Sequence, residues 1–212
     1  MQLENSYEIN IDYDTNLSLT PIGNAVTGMK NGWSPKCEGG SIPVLSLSCL
    51  KNGRIDFSQV KFTNETIENI SNYYVKEGDF FYSRGNTKEL VALAAVARAS
   101  ADVVFSDLLT RVDFNRELVI PEYAVYLFNS PLGRSFFGNT LQGASASMVK
   151  VSQDYMKSFL IPYFGNIKKQ QEIVAKLDRE MEALEGVRFL RQEAEKLIKQ
   201  IITETWGEDV RI

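Results

Sequence analysis

Up to about Phe164 the apolar runs are short and broken by Gly, Asn, Asp and Pro, the texture of strands joined by loops. "SIPVLSLSCL" (41–50) ends at the turn signal "KNG", and "RIDFSQVKF" beyond it sets Ile55, Phe57, Val60 and Phe62 among polar positions, roughly as a half-buried strand would. "GDFFYSRG" (78–85) and "DVVFSDLLTRVDF" (102–114) read as further strands, and "LVALAAVARA" between them fits a strand pair or a helix. Pro121 opens "EYAVYLFNSPLGRSFF", where Tyr123, Tyr126, Leu127 and Phe136 fit a helix interrupted at Ser130-Pro131. The expected class is α/β in the mixed α+β sense, a globular domain over residues 1–165 with strands predominating.

The period changes at Asn166. From there to Glu204 there is no Pro and one Gly, and apolar residues recur at Ile173, Leu177, Met181, Leu184, Val187, Leu190, Ala194, Leu197 and Ile201. Steps of three and four residues make one continuous stripe on a long helix, a rod of about 57 Å at 1.5 Å per residue. The segment carries eight basic and eight acidic residues and is neutral. A helix that tracks DNA would be strongly basic, whereas a neutral helix with an apolar seam is a coiled-coil partner. A domain of some 165 residues offers too little surface to cover the whole seam, so the expected partner is the same helix of a second copy. Residues 166–212 are therefore read as a coiled-coil spacer helix and tail, and the chain as a homodimer.

Composition removes several chemistries. The 212 residues include no histidine, two cysteines and a net charge of −4. Without imidazole there is no Ser/His/Asp or Cys/His triad, no histidine base and no histidine-held zinc or iron. Cys37 and Cys49 are twelve positions apart, too few and too far for a zinc site, and are expected to be buried free thiols. No apolar run approaches eighteen residues and no basic-then-apolar leader opens the chain, so the expected setting is the reduced cytoplasm, with no membrane association. GxxxxGK[ST], GxGxxG after a strand and GxSxG are all missing, and Glu65, Glu68, Asp102 and Asp107 stand as isolated carboxylates. The expectation is a chain that does not itself catalyse and holds no cofactor or metal.

Seven segments in order carry a resemblance. They are "GWSPK" (32–36) following Gly28, "IPVLSL" (42–47), "VKEGDFFYSRGNTKELVALAAV" (75–96), "VFSDLLTRV" (104–112), "PEYAVYLFNSPLGRSFF" (121–137), "QGASASMVKVSQDYMKSFLIPYF" (142–164) and "KKQQEIVAKLDREMEAL" (168–184). Together they resemble the target-recognition domain and following conserved helix of specificity subunits from type I restriction-modification systems. Each motif is short, and the signal lies in their order along nearly the whole chain. The resemblance implies double-stranded DNA as ligand, a DNA methyltransferase subunit as partner, and extends to an ATP-dependent translocating restriction subunit. Typical members carry two recognition domains and two helices packed as an antiparallel pair. This chain has one of each, so it resembles a half-length subunit whose two copies would pair their helices as an antiparallel coiled coil and read an inverted repeat split by a fixed gap. The alternative is a non-catalytic dimerising adaptor, or an orphan fragment that exchanges with a full-length subunit through the coiled coil.

DNA binding needs cations for phosphates and Arg, Lys, Asn or Gln at base edges. Residues 1–20 hold Glu4, Glu8, Asp12 and Asp14 and no cation, whereas residues 21–165 hold fourteen basic residues against thirteen acids. The basic residues of that span gather in turns: Lys30 and Lys36 beside Trp33, Lys51 and Arg54 beside Asn52, and Arg84 and Lys88 beside Asn86. Lys150, after the Ser145–Ser147 turn, is added to these. The expected DNA face comprises Lys30, Lys36, Lys51, Arg54, Arg84, Asn86, Lys88 and Lys150, and the expected dimer interface Ile173, Leu177, Met181, Leu184, Val187, Leu190, Leu197 and Ile201.

Overall fold

The structure, a computed structural model, describes residues 18–139 and 148–206. Packing divides the chain after Gln171 into two compact units. The first holds strands β1 (Thr20–Pro21), β2 (Val26–Asn31), β3 (Ile42–Leu45), β4 (Leu50–Lys51), β5 (Arg54–Ile55), β6 (Val60–Thr63) and β7 (Tyr74–Val75). These are followed by β8 (Phe80–Ser83), β9 (Gly85–Asn86), β10 (Ala94–Val96), β11 (Ala101–Phe105) and β12 (Leu109–Phe114). Helices α1 (Pro121–Asn129) and α2 (Pro131–Asn139), strand β13 (Val149–Lys150), helix α3 (Gln153–Lys157) and strand β14 (Leu160–Ile161) complete it. Helix α4 (Ile167–Trp206) begins in this unit and makes up the second.

Two sheets carry the first unit, one in the order β2-β12-β8-β10-β5-β4 and the other β6-β3-β11-β7. β8 lies centrally in the first, antiparallel to both β12 and β10. All four of its residues are buried, the polar Ser83 among them. Successive side chains of a strand point to opposite faces. Phe81 accordingly joins Leu45, Cys49, Leu50, Ile55, Val75, Ala95, Val103, Phe105 and Leu109 in one core cluster, stacking edge-on to Phe105 at 4.9 Å. Phe80 faces the other way, 5.2 Å from both Phe114 and Phe128, and Phe128 in turn meets Phe137 and Phe159. The class is thus a mixed sheet-and-helix globular unit plus one long C-terminal helix.

Several local expectations change. "RIDFSQVKF" is two strands, not one: the Asp56 carboxylate accepts from the Ser58 amide at 3.0 Å and folds residues 56–59 into a turn. Phe62 is consequently 45% exposed, while Thr63 points inward and donates its hydroxyl to the Lys36 carbonyl at 2.7 Å. "SIPVLSLSCL" is a strand only to Leu45, with a 3-10 turn over Leu47–Cys49. The "LVALAAVARA" segment resolves as a turn into the single strand β10. Cys49 is buried as expected, but Cys37 is only half-buried, its thiol 3.7 Å from the Pro35 carbonyl in an open loop. The helix break at Ser130-Pro131 occurs where proline predicts it. The Ser145–Ser147 turn and residues 207–212 lie outside the described residues.

The start of α4 also follows the sequence. Asn166 caps it by accepting the Lys169 amide on Oδ1 at 3.1 Å. One turn on, Gln170 is fully buried and fully used: its amide nitrogen donates to the Leu118 and Tyr163 carbonyls and its oxygen accepts from the Ile120 amide. Nearby, Tyr123 donates to the Pro162 carbonyl, and burial pushes its phenol above the ordinary range.

Candidate nucleic-acid interface

The loop after β8 is built first by its backbone. β9 pairs antiparallel with β13, setting Gly85 opposite Lys150 and Asn86 opposite Val149. The Arg84 amide donates to the Leu108 carbonyl, and its guanidinium Nη1 reaches the Asp107 carbonyl at 3.2 Å. The same turn receives the "GWSPK" segment, since Trp33 donates to the Phe105 carbonyl at 2.9 Å and accepts from the Asp107 amide at 3.0 Å. This approach demands glycine at 32: a Cβ there would lie 2.1 Å from the Ser106 carbonyl oxygen. The Ser106–Leu108 turn thus gathers Trp33, Arg84, Asn86 and Lys150 at one end of the large sheet. Asn86 accepts the Thr87 amide on its own Oδ1, and Lys88 sits on the exposed tip beyond.

The remaining candidates disperse. Lys51 and Arg54 flank an Asn52-Gly53 hairpin, both central residues having positive φ as the tight two-residue turn needs. That hairpin and β2 occupy opposite edges of the six-stranded sheet, five strand spacings or about 24 Å apart. Lys51 pairs with Asp56 at 2.9 Å. Lys30 sits 4.0 Å over the Tyr73 ring, a cation–π contact, and Lys36 is exposed.

Two cations were missed by reading turns alone. Arg111, opposite Lys30 in register, pairs with Asp79 at 3.3 Å, donates to the Tyr74 and Asn72 carbonyls, and lies over the Phe105 ring. A cation set between Leu109 and Val112 inside a strand is the signal that could have found it. Arg134, on α2, donates to the Val91 carbonyl, and burial draws its guanidinium below the ordinary value. Nothing local in "PLGRSFF" marks that partner, which lies 43 residues back.

In the second unit, the seam residues of α4 from 187 on are open: Val187 is 63% exposed, Leu190 68%, Leu197 56% and Ile201 52%. Ile173, Leu177, Met181 and Leu184 are half-buried. Among the described residues, no helix is long and apolar enough to cross a membrane, and no group of three or more carboxylates or thiols is placed to hold a metal.

The sheet-and-helix head, followed by one long helix, has the fold of solved type I restriction-modification specificity subunits. The S subunit from M. genitalium shares it at a TM-score of 0.60 with 13% identity, over 94% of this chain and 48% of that one. The HsdS subunit from Thermoanaerobacter tengcongensis does so at 0.53 with 14% identity, over 96% of this chain and 48% of that one. In sequence, the type I restriction enzyme EcoKI specificity subunit of Escherichia coli (strain K12) is 23% identical over 159 residues, 73% of this chain and 34% of that protein. The chain therefore spans about a third of that curated relative's length and about half of the solved subunits'. No protein-family model matches it.

Proposed function

We propose that this chain is a DNA sequence-specificity subunit of a cytoplasmic type I restriction-modification system, in which residues 1–165 read one half of a bipartite site and residues 166–212 form the spacer helix and tail. The observation that carries the reading is the joining of one recognition-type head to one helix with an open apolar seam. Two copies pair those seams as an antiparallel coiled coil, presenting two heads to an inverted repeat whose halves are one or two DNA turns apart, at about 34 Å per turn. The chain itself catalyses nothing. It positions a methyltransferase subunit and, where the system has one, a restriction subunit. With a net charge of −4, its own DNA affinity is weak at physiological salt, and the partners supply much of the phosphate contact.

On the head, Arg84, Asn86, Lys88 and Lys150 form the main contact set around the Ser106–Leu108 turn, and Lys36 is a separate exposed contact held through its carbonyl by Thr63. Lys30, Lys51 and Arg54 are outlying phosphate contacts. Replacing Lys36, Arg54 and Arg84 together by Ala weakens binding to the cognate site and lowers the salt slope by about 0.9 for each phosphate that is no longer neutralised. Unchanged affinity in the assembled complex refutes this placement.

The reading as a whole is tested by co-expressing the chain with a type I methyltransferase subunit and mapping methylation of the host genome by single-molecule sequencing. A new palindromic motif split by a fixed gap supports it. No complex and no methylation supports the adaptor or exchanging fragment instead.

A further inference from the structure

The exposed tip Thr87–Leu90 is held from beneath by an unusual amount of side-chain bonding. Ser83 is fully buried, and its hydroxyl donates to the Leu90 carbonyl at 2.8 Å and accepts from the Leu93 amide at 3.1 Å. The Ser83 backbone also accepts from the Ala92 amide and donates to the Leu93 carbonyl. Ala92, buried, has φ +59°, a left-handed conformation that a side chain resists and that surrounding bonds must enforce. The residue between the tip and this strained position is Val91, and its carbonyl is the one Arg134 reaches from α2.

Arg134 is a costly residue for that task. Its Nε and Nη1 are buried and find no partner among the described residues, so the side chain carries the desolvation penalty of two unmet donors for one bond made. An apolar residue of similar length would remove that penalty. The helix that carries Arg134 is itself pinned: the Ser130 hydroxyl donates to the Leu127 carbonyl, and Asn129 at the end of α1 exchanges two bonds with Ala94, at 2.8 and 2.9 Å. Arg134 therefore connects a fixed helical corner to the one strained backbone segment under the tip.

We propose that Arg134 is a positioning residue that locks the 86–90 tip into the shape in which it meets DNA, without touching DNA itself. The proposal rests on the DNA reading above for its consequence, but not for the lock. In R134M the amides of Val91, Ala92 and Leu93 exchange with solvent roughly tenfold faster or more, as loss of a charged hydrogen bond implies, while the core amides of Phe105 and Val112 keep their protection. R134K, which can still place one cationic donor on the Val91 carbonyl, shows a smaller rise confined to the same amides. It serves alone if R134M does not fold.

The second measurement is selection by the full-length chain from a pool of random-sequence DNA duplexes at low salt. Wild type enriches a sequence set, R134M loses much of that enrichment with an unchanged salt slope, and R134K recovers part of it. Unchanged exchange at residues 91–93 overturns the lock. Faster exchange with undiminished enrichment overturns its role in sequence choice, while loss of enrichment in R84A would leave the DNA reading standing. If the wild-type chain alone enriches nothing, the selection is repeated with the chain bound to a methyltransferase subunit, and a wild-type complex that still enriches nothing overturns the DNA reading and the recognition half of this inference with it, leaving the exchange result to decide the lock.

Discussion

The two thiols show how far one residue's surroundings set its chemistry. Cys49 lies in the core cluster, where burial above all, and then the nearby Asp56 carboxylate, pushes its pKa up to about 12. Cys37 sits half-open in the loop after β2. Under native conditions at pH 8 a thiol reagent should therefore label one cysteine, identified by mass spectrometry as Cys37, and both only after unfolding. Asp56 moves in the opposite direction. Hydrogen bonds from the Ser58 hydroxyl, Lys51 and the Ser58 amide hold its carboxyl at about 2, below the usual 3.8. Because the folded value is the lower one, its contribution to stability is present above the ordinary carboxylate range and is lost as pH falls from about 4 towards 2. An NMR titration should place its midpoint near 2, and D56N should flatten the acid dependence of unfolding over that window. Phe128, fully buried and touching Phe80, Phe137 and Phe159, is a third residue with a sharp expectation: Phe128→Ala should cost about 3–5 kcal/mol in urea unfolding.

At the scale of elements, periodicity was a good guide where it ran long and a poor one where it ran short. The α4 stripe spans eight steps of three and four residues, and the helix occurs over the whole segment. "RIDFSQVKF" offered only four apolar positions, and their parity changes, Ile55 and Phe57 odd, Val60 and Phe62 even. One strand cannot point both pairs to the same face, and the Asp56–Ser58 turn resolves the conflict by making two strands. The open half of the α4 seam carries its own prediction. L190E with L197E places carboxylates in the proposed pairing seam, and light scattering should show wild type as a dimer and the double variant as a monomer with its helix content little changed. A wild-type monomer at micromolar concentration would remove the two-headed geometry.

For the whole molecule, the DNA face proposed from sequence joins turns that the fold both unites and separates. Trp33, Arg84 and Lys150 are distant in sequence, yet the β11–β12 turn and the β9–β13 pair bring them to one sheet end. The Lys51–Arg54 hairpin looked equivalent by composition and lies at the far edge. Single alanine substitutions should rank accordingly in the assembled complex, with R84A and K150A weakening cognate binding more than K51A, whose ammonium is already engaged by Asp56. By itself the sequence determined the long helix and its neutral apolar stripe, the strand within 78–85 and the break at Ser130-Pro131. All of these follow from periods, breakers and caps that act within a few residues. Only the tertiary structure decided the strand order, the partners of Arg111 and Arg134, the inward turn of Thr63 and which basic turns share an end. Those depend on pairings such as Lys30 with Arg111 or Arg134 with Val91, between residues far apart in the chain, where local hydrophobic patterning carries no information about which partner is met.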